Sequence, residues 1–226
     1  MKFIWLFLLF SGYGLASSII KNTDIISIAT GGYNAHSLVK SLRHKGQWKS
    51  SIYVISDECT SPINHTINIH VPRTYTPLES KMHKMDILNY TLSDYVLFLD
   101  SDIKVVNHLK YFFNQISVWD SSCDVYLGHD MWYSNKFTYN GGIIFVKRHH
   151  SEEFLQLWKD EIIQESYIGQ KDQPGLKKII DQGLVSVCSL PQETIQYLPD
   201  MSSNLRKPHS IFKHAMKFKK NRKKCL

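Results

Sequence analysis

Apolar and polar positions alternate between two periods along this chain. Ile25-Ile26-Ser27-Ile28-Ala29 is a short apolar run that predicts a buried strand, ending at Thr30-Gly31-Gly32. Ala35, Leu38, Val39 and Leu42 then fall at helical spacing, and Ser51-Ile52-Tyr53-Val54-Ile55 is a second strand. Strand, helix and strand in succession make a βαβ unit, hence a parallel sheet. Met82, Met85, Leu88 and Leu92 mark a helix from Glu79 to Leu92, its methionines core-facing. Tyr95-Val96-Leu97-Phe98-Leu99 is a central strand that runs into Asp100-Ser101-Asp102. Asp124 to Leu127, Gly142 to Val146 and Val185 to Val187 are later strands. Phe154, Leu157, Trp158 and Ile162 lie on a helix opened by Ser151-Glu152-Glu153, and Pro174 sits near the first turn of another. The alternation predicts an α/β three-layer fold with a mainly parallel central sheet.

Composition narrows the class. With 226 residues, 43% of them hydrophobic and 21% charged, the chain suits one folded domain and excludes global disorder. The start, MKFIWLFLLFSGYGLASS, has Lys2, an apolar run from Phe3 to Phe10 and a small-residue exit at Gly14-Leu15-Ala16. That pattern predicts a signal peptide over 1–16 and a secretory-pathway location, with an uncleaved type II anchor as the alternative. The domain is expected over 22–212. In an oxidising lumen Cys59, Cys123, Cys188 and Cys225 can pair, in a connectivity the spacing does not give. Asn64-His65-Thr66 and Asn89-Tyr90-Thr91 are sequons, of which the loop one, Asn64, is the better acceptor.

The net charge of +7 is matched by seven basic residues between Lys213 and Lys224, a stretch without an acid. Such a tail over 213–226 suggests nucleic acid at first sight. The export signal argues against that partner and leaves a solvated tail or a cap over phosphates.

Two carboxylates one residue apart, just past a buried strand, can converge on one cation. In α/β sheets ligands bind beyond the carboxyl ends of the strands. Hard oxygen donors suit Mg²⁺ or Mn²⁺, with a diphosphate completing the coordination. By itself the Asp-x-Asp pattern also fits a solvated turn or a haloacid-dehalogenase-type phosphatase. In that phosphatase family the motif usually lies on the first strand, whereas here it follows a βαβ unit.

The stretch from Ser80 to Val106, SKMHKMDILNYTLSDYVLFLDSDIKVV, resembles the GT-A glycosyltransferases of the glycogenin and galactinol-synthase type. The resemblance implies a GT-A, Rossmann-like nucleotide-diphospho-sugar transferase fold. It implies transfer of a sugar from a nucleotide-sugar, expected to be a UDP-sugar, to a glycan, lipid or protein acceptor with retention of configuration. It implies that Lys81 contacts the donor phosphates and that Asp100, Ser101 and Asp102 bind the donor through the metal. Further blocks follow in the family's order. Thr30, Gly31 and Tyr33 would meet the nucleoside, and Asn140 and Gly141 the sugar or acceptor. Asp172 would hold sugar hydroxyls, with Gln173 beside the reacting carbon; both are the catalytic candidates. From the residues alone, Asn140-Gly141 also reads as a turn feeding a strand, and Asp172 as a helix N-cap before Pro174. The family's third metal ligand is a C-terminal His, here His214, with His209 as the rival. Lys220 stands at the spacing of the lysine that grips the diphosphate. The family's His-Phe-x-Gly block is His-Ala-Met-Lys here. A non-catalytic binder of nucleotide-sugar or glycan is the alternative function.

Overall fold

The computed structural model describes residues 16–117, 123, 125–129, 139–164, 172–198 and 210–215. Residues 1–15 of the predicted signal segment, Lys171, His209, Lys220, Cys225 and most of the basic tail lie outside the described residues. No helix among the described residues is long and apolar enough to cross a membrane.

Among the described residues the strands and helices that build the domain are β1 (Thr23–Ala29), α1 (His36–His44), β2 (Ile52–Ser56), β3 (Ile67–His70), α2 (Pro77–Met85), β4 (Tyr95–Leu99), β5 (Ile103–Val105), α3 (Leu109–Ser117), β6 (Val125–His129), β7 (Tyr139–Lys147), α4 (Arg148–Gln164), α5 (Gln173–Asp181), β8 (Val187–Ser189), β9 (Ile195–Leu198) and β10 (Phe212–Ala215). A seven-stranded sheet has the order β3-β2-β1-β4-β7-β6-β8. The β1–β2, β1–β4, β2–β3 and β6–β8 pairs are parallel. Strand β7 runs antiparallel to both β4 and β6. Mostly parallel pairing with helices on both faces is the predicted three-layer α/β arrangement.

The strand alternation sorts the core into two layers. Ile25, Leu97, Leu99 and Phe145 point to one side, where Leu38, Leu42, Trp48, Phe112 and Phe113 pack. Ile26, Val96, Phe98 and Ile144 point to the other, against Met85, Phe154, Trp158, Leu176 and Ile179. The central strands β1, β4 and β7 are therefore apolar on both faces, as a sheet covered on both sides requires. On the first side, Phe112 meets Phe113, Phe145 and Phe212 edge-on, with ring centroids 5.3 to 6.0 Å apart. Phe212 belongs to a second, three-stranded sheet, β5-β10-β9.

Several predicted boundaries move. The helix expected over Glu79 to Leu92 begins at Pro77 and stops at Met85, and a separate 3-10 turn covers Ile87–Asn89. Its start is fixed by a capping box: the Thr76 hydroxyl accepts from Glu79 N, and the Glu79 carboxylate reaches back to Thr76 N. Asn89 is exposed on the 3-10 turn rather than within a helix. Helix α4 begins at Arg148, ahead of the Ser151 start signal; Ser151 is buried and its hydroxyl donates to Lys147 O. The Asn140-Gly141-Gly142 block is not a turn before a strand; it is the buried opening of β7.

Candidate functional site

Strands β1, β2 and β4 are parallel, so their carboxyl ends share one edge of the sheet. The antiparallel β7 brings its amino end there too, and Asp100 N donates to Gly142 O at 2.8 Å. Asp100 thus leaves β4 directly against the Asn140-Gly141-Gly142 segment. A tight turn follows, with Ile103 N donating to Asp100 O, and places Asp102 at the entrance to β5. Strand β10 lies antiparallel to β5 with His214 opposite Ile103. The far end of the chain is thereby stitched to the Asp-x-Asp turn.

Ligand atoms of Asp100, Asp102 and His214 all lie within 4.8 Å of one another. His214 Nε2 is 3.3 Å from Asp102 Oδ1. Asp102 Oδ1 is buried and accepts no hydrogen bond of good geometry from the described residues. A buried carboxylate oxygen whose neighbour, the His214 imidazole, is poorly aligned to it is left under-satisfied unless something else binds it. Two carboxylates and an imidazole are a donor set for a divalent cation, and the nitrogen suits Mn²⁺ better than Mg²⁺. Gly142 keeps this spot free of a side chain: a Cβ there would lie 2.8 Å from Asn140 Oδ1, 2.9 Å from Asp100 Oδ2 and 2.9 Å from His214 Cε1. The residues present therefore fit a metal cradle. Burial pushes the Asp100 carboxyl up, against the pull of Lys84. Burial alone would lower His214, but Asp102 and Asp100 outweigh it and hold the imidazolium up.

Beside the cradle, Asp172 is buried and carries two lysines. Lys84 Nζ is 2.7 Å from Asp172 Oδ2 and 3.4 Å from Asp100 Oδ1, and Lys81 Nζ is 3.1 Å from Asp172 Oδ1. Burial would raise the Asp172 carboxyl, but the two ammonium groups hold it well below the usual carboxylate range. Lys84 in turn stays protonated far above the usual range, its burial outweighed by Asp100 and Asp172. Asp172 does occupy the N-cap position of α5, yet its side chain makes no capping bond. The carboxylate serves the lysines instead. Its backbone oxygen accepts from Trp158 Nε1 at 2.8 Å. Gln173, the first residue of α5, follows at the same corner. A Cβ on Gly141 would lie 2.7 Å from the Trp158 ring, so Gly141 lets that ring close over the strand. Asn140 is buried and its Oδ1 accepts from Gly142 N.

At the β1 end, Gly31 and Gly32 have φ of 63° and 82°, the left-handed region glycine enters freely. Thr30 is buried and its hydroxyl donates to Ser80 Oγ at 2.7 Å, joining this turn to α2. Tyr33 is 41% exposed. Two residues that the sequence reading overlooked organise the site. Lys84 is one; its spacing of three from Lys81 on a helix, which puts the pair on one face, was the signal. Asp57, just past β2, is the other. It is buried and accepts from Gly31 N at 2.7 Å, Thr74 N at 3.2 Å, Thr74 Oγ1 at 3.1 Å and Cys59 N at 3.1 Å. A lone Asp in a loop carries no sequence signal for that role.

Cys123 and Cys188 form a disulfide with Cα atoms 5.8 Å apart, between the approach to β6 and strand β8. Cys59 is disulfide-bonded as well.

No family model and no curated protein sequence matches the chain. Solved structures do. The galactosyltransferase LgtC in complex with donor and acceptor sugar analogs is 16% identical, over 86% of this chain and 87% of that one, with a TM-score of 0.61. An active-site mutant of LgtC is 13% identical over the same shares, with a TM-score of 0.62. The glycosyltransferase GlyE of Streptococcus pneumoniae TIGR4 is 14% identical, over 86% of this chain and 55% of that one, with a TM-score of 0.60. With the mostly parallel seven-stranded sheet and its carboxyl-edge site, these likenesses establish that the chain has the GT-A glycosyltransferase fold.

Proposed function

We propose that this protein is a metal-dependent glycosyltransferase that moves a sugar from a nucleotide-sugar, taken as a UDP-sugar, to a glycan, lipid or protein acceptor. The convergence of Asp100, Asp102 and His214 carries the reading, since it sits where the fold binds ligands and joins residues from distant parts of the chain. LgtC, which shares the fold, was solved with donor and acceptor sugar analogs. The block from Ser80 to Val106 supports a relationship to the glycogenin and galactinol-synthase type, and with it retention. The position of Asp100 at the end of the fourth strand, not the first, speaks against the phosphatase alternative.

Asp100, Asp102 and His214 would hold Mn²⁺ or Mg²⁺. When bound, the cation supplies charge neutralisation of the diphosphate leaving group. Lys81, part-exposed at the rim on α2, adds a positive charge for the same phosphates, with Asp172 fixing its position. The turn at Thr30, Gly31 and Tyr33 receives the nucleoside, and Tyr33 stacks on the base or bonds the ribose. Asn140 and Gly141 border the sugar, and Gln173 lies at the corner where the acceptor hydroxyl approaches. Lys220 is assigned to the diphosphate by its spacing alone. Catalysis rests on positioning and on stabilising the departing charge. The signal-like pattern of the N-terminal segment supports a secretory-pathway location.

The test is thermal unfolding with a panel of nucleotide-sugars, with and without Mn²⁺, followed by donor hydrolysis assays. One donor should raise the midpoint only with metal present, and Asp102→Ala should abolish both the shift and the hydrolysis. No response to any nucleotide-sugar would sink the reading. A metal-dependent shift without hydrolysis or transfer would favour the non-catalytic binder.

A further inference from the structure

The cradle holds a fixed positive charge at its edge. Lys84 is only 4% exposed, and its ammonium lies between two carboxylates, 2.7 Å from Asp172 Oδ2 and 3.4 Å from Asp100 Oδ1. The rings of Phe98 and Trp158 form its apolar surroundings, with centroids at 5.2 and 6.0 Å. So enclosed, the ammonium cannot swing out to water without leaving both partners, and its field is poorly screened. Asp100 is therefore shared. Its Oδ1 faces Lys84, while its Oδ2 faces the Gly142 and His214 side, where a cation would sit. A divalent cation entering alone meets a ligand already half committed to a like charge. Asp172 moderates this, because the shorter contact draws the ammonium toward itself and away from Asp100.

We infer that Lys84 is a positioning residue that weakens the cradle for a bare divalent cation, so that cation and nucleoside diphosphate bind cooperatively. The inference rests on the proposed metal-dependent reading and deepens it. A diphosphate brings negative charge to the same place and offsets the repulsion. The coupling works through charge, and so is reciprocal: whatever the diphosphate adds to cation affinity, the cation adds to diphosphate affinity. A transferase built this way takes up its metal with the donor and releases it with the nucleoside diphosphate product.

The test is equilibrium binding of Mn²⁺ alone, read from the electron paramagnetic resonance of free Mn²⁺, for wild type, Lys84→Met, Asp172→Asn and Asp102→Asn. A repeat with UDP present follows. Lys84→Met should bind Mn²⁺ at least about tenfold more tightly than wild type, as removal of a like charge near the site requires. The tightening by UDP should shrink in that variant. Asp172→Asn should shift the other way, since both lysines then lose their counter-charge and Lys84 turns to Asp100. That variant keeps the inference open to refutation even if Lys84→Met does not fold. Unchanged or weaker Mn²⁺ binding in Lys84→Met, or tighter binding in Asp172→Asn, overturns the inference while leaving the metal reading intact. Mn²⁺ binding that survives Asp102→Asn overturns both.

Discussion

His214 and Ile103 face each other across the antiparallel pair of β10 and β5, and that register sets His214 beside Asp102, the residue before Ile103. The imidazole reaches the cradle because a strand holds it there, not because a mobile tail folds over. The His214→Ala variant should keep its fold, since its backbone pairing is untouched. It should lose at least about tenfold in Mn²⁺ affinity, as loss of one protein ligand from three implies. Asp100 and Asp102 would then favour Mg²⁺ relatively more, so the Mn²⁺ to Mg²⁺ preference should narrow. Isothermal titration with each metal, in the presence of the nucleoside diphosphate, reads both effects. An unchanged preference would remove His214 from the ligand set.

Gly142 is the point where the ladder between β4 and β7 touches the cradle. A methyl group there would press on Asn140 Oδ1, Asp100 Oδ2 and His214 Cε1, each within 2.9 Å of the new carbon. The Asn140 amide is itself tied to Gly142 N, so it has little room to yield. Gly142→Ala should therefore cost about 1–3 kcal/mol of stability, the usual range for overpacking. Metal binding should fall far more than that stability loss explains. Urea unfolding and metal titration on the same preparation separate the two. Wild-type metal affinity in this variant would mean that the cradle lies elsewhere.

Much of this was legible in the sequence, for physical reasons that differ by element. The first βαβ unit and β4 announce themselves because covered parallel strands are unbroken apolar runs. The Asp100 and Asp102 pair inherits its place from the end of β4. Asn140-Gly141-Gly142 reads as a turn because glycine is a turn residue, yet here glycines admit Trp158 on one side and the cradle on the other. That depends on residues distant in sequence. Strand β10 is hidden in a cationic stretch, and its pairing with β5 and β9 fixes its register. Lys84 resembles an ordinary helix-surface lysine until α2 is laid against Asp100 and Asp172.

The disulfide between Cys123 and Cys188 closes a loop of 65 positions and fastens the edge strand β8 to the start of β6. Constraining the unfolded chain by a loop of that size is worth about 4 kcal/mol on chain-entropy grounds. The double variant Cys123→Ala, Cys188→Ala should thus unfold at clearly lower urea, with the loss approaching that value. The cradle is built from β4, β5, β7 and β10, so Mn²⁺ affinity should stay within about twofold of wild type under native conditions. A collapse of metal binding without unfolding would show that the β6–β8 edge helps shape the site.

Asp57 makes the turn at Gly31 depend on pH. Its carboxylate accepts hydrogen bonds from Gly31 N, Thr74 N, Thr74 Oγ1 and Cys59 N, with a longer one from Thr60 Oγ1. Burial would raise its pKa, but these donors outweigh it and leave the group below its ordinary value. A folded-state pKa below the unfolded one contributes stability that is full above the unfolded value and is lost as pH falls through the folded value. In Asp57→Asn one oxygen becomes a donor facing backbone N–H groups. Near neutral pH that variant should be less stable by about 1–3 kcal/mol, the cost of leaving buried donors unmet. Acidification protonates Asp57 in wild type and removes its advantage, so the gap between the two proteins should close below about pH 4, near the unfolded Asp value. Urea midpoints across pH measure that gap. The nucleotide response should weaken in the variant even at neutral pH, because Gly31 and its turn to Tyr33 lose their anchor. A constant gap across the acid range would mean that folding does not shift the Asp57 pKa, and that the turn is held without help from its charge.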